Sequence, residues 1–166
     1  MIIAIDQSLT CTGICIMDEK TQKYKTYTIK PKKLRGIERL EFIKKELEFL
    51  ILNYEYEQMT KGKGVYEYSP KDLIVDWKGV MEGYSYGSIG RTFELGELGG
   101  IIKMIFNKRG IPLEIVPPTV WKKEVVGKGN ANKDKVKLVV SDDYGLKFNT
   151  QDECDAWCMA EYKRRQ

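Results

Sequence analysis

Two aspartates three residues apart, Asp152 and Asp155, lie within and just beyond the tetrad Thr150-Gln151-Asp152-Glu153. That tetrad is a capping box, in which an N-cap Thr and a Glu at the third helical position satisfy each other's orphan amides. It sets the phase of the helix, and on that helix the i, i+3 spacing puts both aspartates on one face with Cβ atoms about 5 to 6 Å apart. A pair of this kind has a plain structural reading: Asp152 complements the helix dipole and Asp155 is a solvated neighbour. Here the pair has company. Asp6 closes the apolar run MIIAI, and Glu82 closes LIVDWKGVM. In sheets with crossover helices, strand ends are where sites are built. Four carboxylates gathered at one place repel unless cations lie between them, and an oxygen-only donor set suits Mg²⁺ or Mn²⁺. The chain has no His, which removes imidazole bases, His-based triads and His-containing zinc sites.

Basic residues supply a second chemistry. Six lysines (Lys122, Lys123, Lys128, Lys133, Lys135, Lys137) surround the segment GKGNAN. Glycines there let backbone approach phosphates, and a helix beginning near Asn132 aims its amides at them. The segment is not a phosphate loop of the G-x-x-x-x-G-K-[ST] type, and a solvated basic loop is the competing reading. Residues 20 to 39 carry eight cations (Lys20, Lys23, Lys25, Lys30, Lys32, Lys33, Arg35, Arg39) against Glu38, a patch within a chain of 28 Lys+Arg and 24 Asp+Glu. Tyr84 and Tyr86, in the turn GYSYGSIG, suit stacking on unpaired bases or packing beneath the turn. Trp77, Trp121 and Trp157 read as core. The cysteines form two CxxxC pairs, Cys11/Cys15 and Cys154/Cys158, and read as buried reduced thiols rather than a zinc site or a disulfide.

The elements that must position these groups follow from periodicity. Met1 to Asp6 and Thr12 to Met17 predict a hairpin, and Tyr24 to Ile29 a third strand. Apolar residues at spacings of three and four predict an amphipathic helix over 35–54. Residues 55–72 lose periodicity and read as an exposed insertion. A strand over 73–81, a helix over 91–107, a strand over 111–116 stopped by Pro117 and Pro118, and helices over 119–126 and 133–142 complete the pattern. Gly96, Gly99 and Gly100 fall within a helix, where glycine costs about 1 kcal/mol relative to Ala, which points to a close contact, either on the sheet or with a second copy. The order βββ-α-β-α-β-α-α-α is a single α/β domain over 1–166, a mixed sheet covered by helices. No run reaches the roughly 18 apolar residues of a membrane span, so the expectation is a cytoplasmic protein with no membrane contact.

AIDQSLTCTG, VMEGYSYG, KKEVVGKGNANKDKV and DECDAW together resemble, in order and in strand and helix placement, the RuvC-type Holliday junction resolvases of the ribonuclease H-like superfamily, and most closely the phage branch. The resemblance spans nearly the whole chain outside 55–72. It implies a ribonuclease H-like fold, three antiparallel strands followed by parallel ones. Asp6, Glu82, Asp152 and Asp155 fall at the family's catalytic and metal-holding acids, and Lys122 and Lys133 at basic positions near the scissile phosphate. Two Mg²⁺ ions per site, with Mn²⁺ able to substitute, are implied for phosphodiester hydrolysis, along with paired nicking of branched DNA by a homodimer in a bacterial or phage-infected cell. Lys32, Lys33, Arg35, Tyr84, Tyr86, Lys123 and Lys128 are the expected DNA contacts. One departure is Gln7-Ser8, where bacterial members usually carry Pro-Gly.

Three other readings fit the same residues. A nuclease of the same fold could act on forks, flaps or RNA:DNA hybrids. Asp6-x-Ser8-x-Thr10 with Gly13 also resembles the first phosphate loop of actin and sugar-kinase folds, although those need two lobes. A non-catalytic junction-binding protein is the third, disfavoured by retention of all four acids.

Overall fold

The computed structural model describes residues 1–60, 75–83 and 92–166. Strands β1 (Ile2–Asp6), β2 (Thr12–Met17) and β3 (Tyr24–Ile29) precede helix α1 (Gly36–Thr60); β4 (Lys78–Glu82), α2 (Thr92–Lys108), β5 (Leu113–Val116), α3 (Pro118–Val126), α4 (Lys133–Tyr144) and α5 (Gln151–Arg164) follow. The five strands form one sheet in the order β3-β2-β1-β4-β5. Pairing is antiparallel between β1 and β2 and between β2 and β3, and parallel from β1 to β4 and from β4 to β5. This is the expected mixed sheet.

Every residue of β1 and β2 is buried, as a strand covered on both faces requires. Successive side chains leave a strand on opposite faces. Ile2, Ala4, Cys15, Met17 and Val80 join Trp121, Val136, Ala156 and Trp157 in a core beneath α3, α4 and α5. Ile3, Ile5, Ile14, Ile16 and Met81 join Leu47, Ile51, Ile102 and Phe106 in a second core beneath α1 and α2. The same parity assigns Asp6 and Glu82, each at a strand's carboxyl end, to the α5 face.

Several expectations needed adjustment. Helix α1 continues to Thr60, so the first residues of the supposed insertion are helical; Glu55 is held there by Trp77 Nε1–H at 3.0 Å and by Arg109 at 3.2 Å. The rest of that segment, 61–72, falls outside the described residues. Strand β4 begins only at Lys78, where its ladder with β1 starts. Pro117 and Pro118 end β5 and also begin α3, as its N-cap and first residue, where a missing amide costs nothing.

The basic run 20–39 is not one patch. Thr12 faces Ile29 while Met17 faces Tyr24, so Lys20 and Lys23 lie at the hairpin end and Lys30 to Arg35 at the opposite end, a strand of roughly 20 Å between them. In α2, Gly99 is buried on the inward face, whereas a Cβ built on Gly96 or Gly100 meets nothing within 4 Å among the described residues. Trp77, Trp121 and Trp157 are buried as expected. All four cysteines are free; Cys15, Cys154 and Cys158 are buried, and Cys11 is half-buried. Among the described residues no helix is long and apolar enough to cross a membrane.

Candidate active site

Helix α5 brings the two halves of the acid set together. Its capping box is formed: Thr150 Oγ1 accepts from Glu153 N at 3.1 Å, and Glu153 Oε2 accepts from Thr150 N at 3.1 Å. Its first turn is laid directly on β2. Gly13, paired with Asp6 across the ladder, sits so close that a Cβ there would overlap the backbone carbonyl of Asp152. The glycine therefore allows Asp152 and Asp155 to reach the end of β1.

The electrostatics show the gathering. Asp6 is only 8% exposed. Burial raises its carboxyl well above the usual range, and Glu82, Asp155 and Asp152 raise it further by repulsion, with Asp6 and Glu82 also sharing a side-chain hydrogen bond. Burial likewise raises Glu82, against the opposing pull of Trp121, Lys122 and Lys133. Asp155 is pushed up to about 6 by burial, partly offset by a hydrogen bond from Gln151, with Glu82 adding repulsion and Lys122 and Lys133 opposing it. The structure thus brings Asp6, Glu82, Asp152, Asp155, Lys122 and Lys133 to one place.

Three of the acids have a separate donor. Trp121 Nε1–H donates to Glu82 Oε1 at 3.2 Å. Gln151 Nε2–H donates to Asp155 Oδ1 at 2.7 Å. The Cys11 thiol, raised to about 11 by burial and by its hydrogen bond to Asp152, serves the third. In addition, Gln7 Nε2–H donates to the Glu82 main-chain carbonyl at 3.0 Å, tying the ends of β1 and β4. Among the described residues no group of three or more His, Cys, Asp or Glu side chains is closed into metal-binding geometry. The donor set nevertheless fits a hard divalent cation: it is all oxygen, and its acids oppose one another's ionisation, which a cation between them would relieve.

Trp121, Gln151, Gln7 and Cys11 were missed as site residues. Only the Gln151–Asp155 pair carried a readable signal, since Gln and Asp four apart meet on a helix. Lys123 and Lys128 are exposed on α3 and in the loop after it. Lys32, Lys33 and Arg35 lie beyond β3, across β2 from the acids. Tyr84 and Tyr86 fall outside the described residues.

Comparison with known proteins gives the same direction. The crossover junction endodeoxyribonuclease RuvC of Chlamydia caviae is 38% identical over 114 residues, covering 66% of each chain. The chain is thus similar in sequence to the RuvC endodeoxyribonucleases. RuvC of Chlamydia felis is 37% identical over 73 residues, 42% of this chain and 44% of that one. The chain thus matches just under two thirds of the first RuvC relative's length and under half of the second's. Among solved structures, Thermus thermophilus RuvC superposes with a TM-score of 0.67 at 19% identity, covering 96% of this chain and 90% of that one. T. thermophilus RuvC in complex with a Holliday junction substrate gives 0.68 at 18% identity, covering 99% and 94%. At such identities these structures speak for the ribonuclease H-like RuvC fold. No family model matches the chain.

Proposed function

We propose that this chain is a divalent-metal-dependent endonuclease that resolves four-way DNA junctions by paired nicks, acting as a homodimer. The observation that carries the reading is the convergence of Asp6 and Glu82, from strand ends, with Asp152 and Asp155, from α5, beside Lys122 and Lys133. The sequence relatives are named crossover junction endodeoxyribonucleases, and one structural neighbour was solved with a Holliday junction.

In this reading Asp6, Glu82, Asp152 and Asp155 hold two Mg²⁺ ions, with Mn²⁺ able to substitute. When bound, the ions supply Lewis acidity and charge neutralisation for in-line attack of water at phosphorus, without an imidazole base. The chain's own groups do the positioning. Trp121 and Gln151 fix carboxylate oxygens of Glu82 and Asp155, and Gln7 fixes the strand end that bears Glu82. Lys122 and Lys133 place positive charge beside the acids, where the phosphate's non-bridging oxygens must sit. Lys123, Lys128, Lys32, Lys33 and Arg35 attract the flanking backbone, and Tyr84 and Tyr86 are the candidates for stacking on unpaired bases.

Two equivalent strands of a junction call for two sites, hence two copies about a two-fold axis. The outward face of α2 supports that. Phe93 is 91% and Met104 73% exposed, with Gly96 and Gly100 between them on the same face. A groove of about 530 Å³ between α1 and α2 adjoins this face, lined by Ile37, Ile101, Met104 and Ile105 among others.

The deciding experiment incubates the protein with a four-way junction, a fork, a linear duplex and an RNA:DNA hybrid, in Mg²⁺ and in EDTA. Symmetric nicks in the junction alone, lost in EDTA, are expected. Preferential cutting of forks or hybrids moves the assignment to a sister nuclease, and binding without cutting in Mg²⁺ removes catalysis from it.

A further inference from the structure

A recess of about 700 Å³ opens where β3 turns into α1, lined by Thr10, Lys32, Lys33, Leu34, Arg35, Arg39 and Glu94. Among the described residues it holds four cations and one carboxylate. Their placement runs against local helix physics. The amino end of a helix carries partial positive charge and favours acids, yet Lys32, Lys33 and Arg35 immediately precede α1 and Arg39 follows in its first turns, with Glu38 the only acid of the first turn. The turn is also in an unfavoured conformation, since Lys32 has φ +52°, a left-handed backbone that a side chain with a Cβ rarely adopts. Self-repelling charges on a strained turn violate local consistency, and such violations concentrate where function requires them.

The recess lies on the same end of the sheet as the acids. Asp6 faces Gly13 and Thr12 faces Ile29, so the carboxyl ends of β1 and β3 flank the amino end of β2, about 10 Å apart at the spacing of neighbouring strands. The loop 7–11 bridges the gap. Ser8 Oγ accepts from Thr10 N and Cys11 N, both at 3.3 Å. Thr10 lines the recess while Cys11, in the next position, hydrogen-bonds Asp152 and feels the charge of Lys30.

We infer that this recess is a second phosphate site, which grips the DNA backbone of the cut strand about one or two phosphates from the scissile one. The inference rests on the nuclease reading above but not on junction selectivity. Lys32, Lys33 and Arg35 supply the charge, and Thr10 offers a hydroxyl. Arg39 is held back: its Nε donates to Leu34 O at 3.0 Å and its Nη1 lies 3.5 Å from Glu94 Oε2. Glu94, half-exposed at the start of α2, is among the described residues the one group in the recess that opposes an anion. It weakens the grip and so favours release of product.

The test uses full-length protein on a junction and on a linear duplex in EDTA, titrated against KCl. The variants are Lys32→Ala/Lys33→Ala/Arg35→Ala and, separately, Glu94→Gln, each checked for unchanged melting temperature. The triple variant is expected to lower the slope of log affinity against log salt by about 2 to 3 and to bind at least tenfold more weakly, whereas Glu94→Gln binds severalfold more tightly. A single methylphosphonate about one or two linkages from the cut should weaken wild type and leave the triple variant indifferent. A triple variant with the wild-type slope, on DNA that wild type binds in EDTA and cuts in Mg²⁺, overturns the phosphate site alone. Wild type that binds neither DNA overturns the nuclease reading as well.

Discussion

The indole of Trp121, fully buried on α3, donates its only hydrogen bond to the carboxylate of Glu82 at the end of β4, 3.2 Å away. A residue that its burial marks as core is thereby also a site residue, and the two roles separate by substitution. Trp121→Phe keeps most of the volume and removes the donor. It is expected to cost about 1 to 2 kcal/mol of stability, to lower cleavage about tenfold, and to raise the Mg²⁺ concentration needed for half-maximal rate. Unchanged Mg²⁺ dependence at reduced stability would leave Trp121 a packing residue only.

Burial of the acids, with repulsion on Asp6 and Asp155 added to it, makes the site locally unstable in the absence of cation. The folded-state values of Asp6, Glu82 and Asp155 lie above the ordinary carboxylate range, so the folded chain binds their protons more tightly than the unfolded chain does. Their contribution to stability is intact below about pH 4 and is lost as pH rises, through about 6 for Asp155. Asp155→Asn should therefore stabilise the protein in EDTA at pH 7 by about 1 to 2 kcal/mol, a melting temperature higher by about 2 to 8 °C, while abolishing cleavage and sparing DNA affinity. A melting temperature that falls at pH 7 would refute this account.

Glu161 behaves oppositely. Burial would raise it, but hydrogen bonds from Arg164 and Arg165 outweigh that and hold it below the usual value. The stability it supplies is present above about pH 4.3, the unfolded value, and is lost as pH falls through its lower folded value. Glu161→Gln is expected to cost about 2 kcal/mol at pH 7 and nothing at pH 2. Urea unfolding at the two pH values measures the difference.

Gly13→Ala should damage the site more than the fold. Its Cβ would meet the Asp152 carbonyl, forcing the first turn of α5 away from Asp6 at a cost of about 2 to 3 kcal/mol. Loss of cleavage with a protein still folded by circular dichroism is the expected outcome; wild-type turnover would show that α5 need not sit so close.

The dimer seam is tested at Gly100, which faces outward, and not at Gly99, whose side is buried. Gly100→Leu should give a folded monomer that nicks junctions singly, read by light scattering and by the ratio of single to paired cuts. Monomeric wild type, both free and on DNA, would remove the seam.

Much of this architecture is legible in local pattern. Apolar runs define β1 and β2, the capping box phases α5, and strand parity puts Asp6 and Glu82 on one face. What local pattern hides are contacts between distant segments. The Trp121–Glu82 hydrogen bond joins residues 39 apart, and an indole's burial does not announce where its N–H points. The end of α1 was missed because Glu55 faces inward to Trp77 and Arg109, a polar contact that breaks hydrophobic periodicity without breaking the helix. The basic run seemed continuous because charge was counted along the chain, whereas β3 carries its two halves to opposite ends of the sheet.

Two of the acids ride on the sheet and two on α5, so the site is a seam between parts of one chain separated by most of its sequence. Closing so long a loop is entropically late work in folding. A chain with β1, β2 and β4 assembled but α5 undocked has only half of these carboxylates at the site. On the nuclease reading, the complete acid set, and with it the capacity to cut, is reserved for the finished tertiary structure.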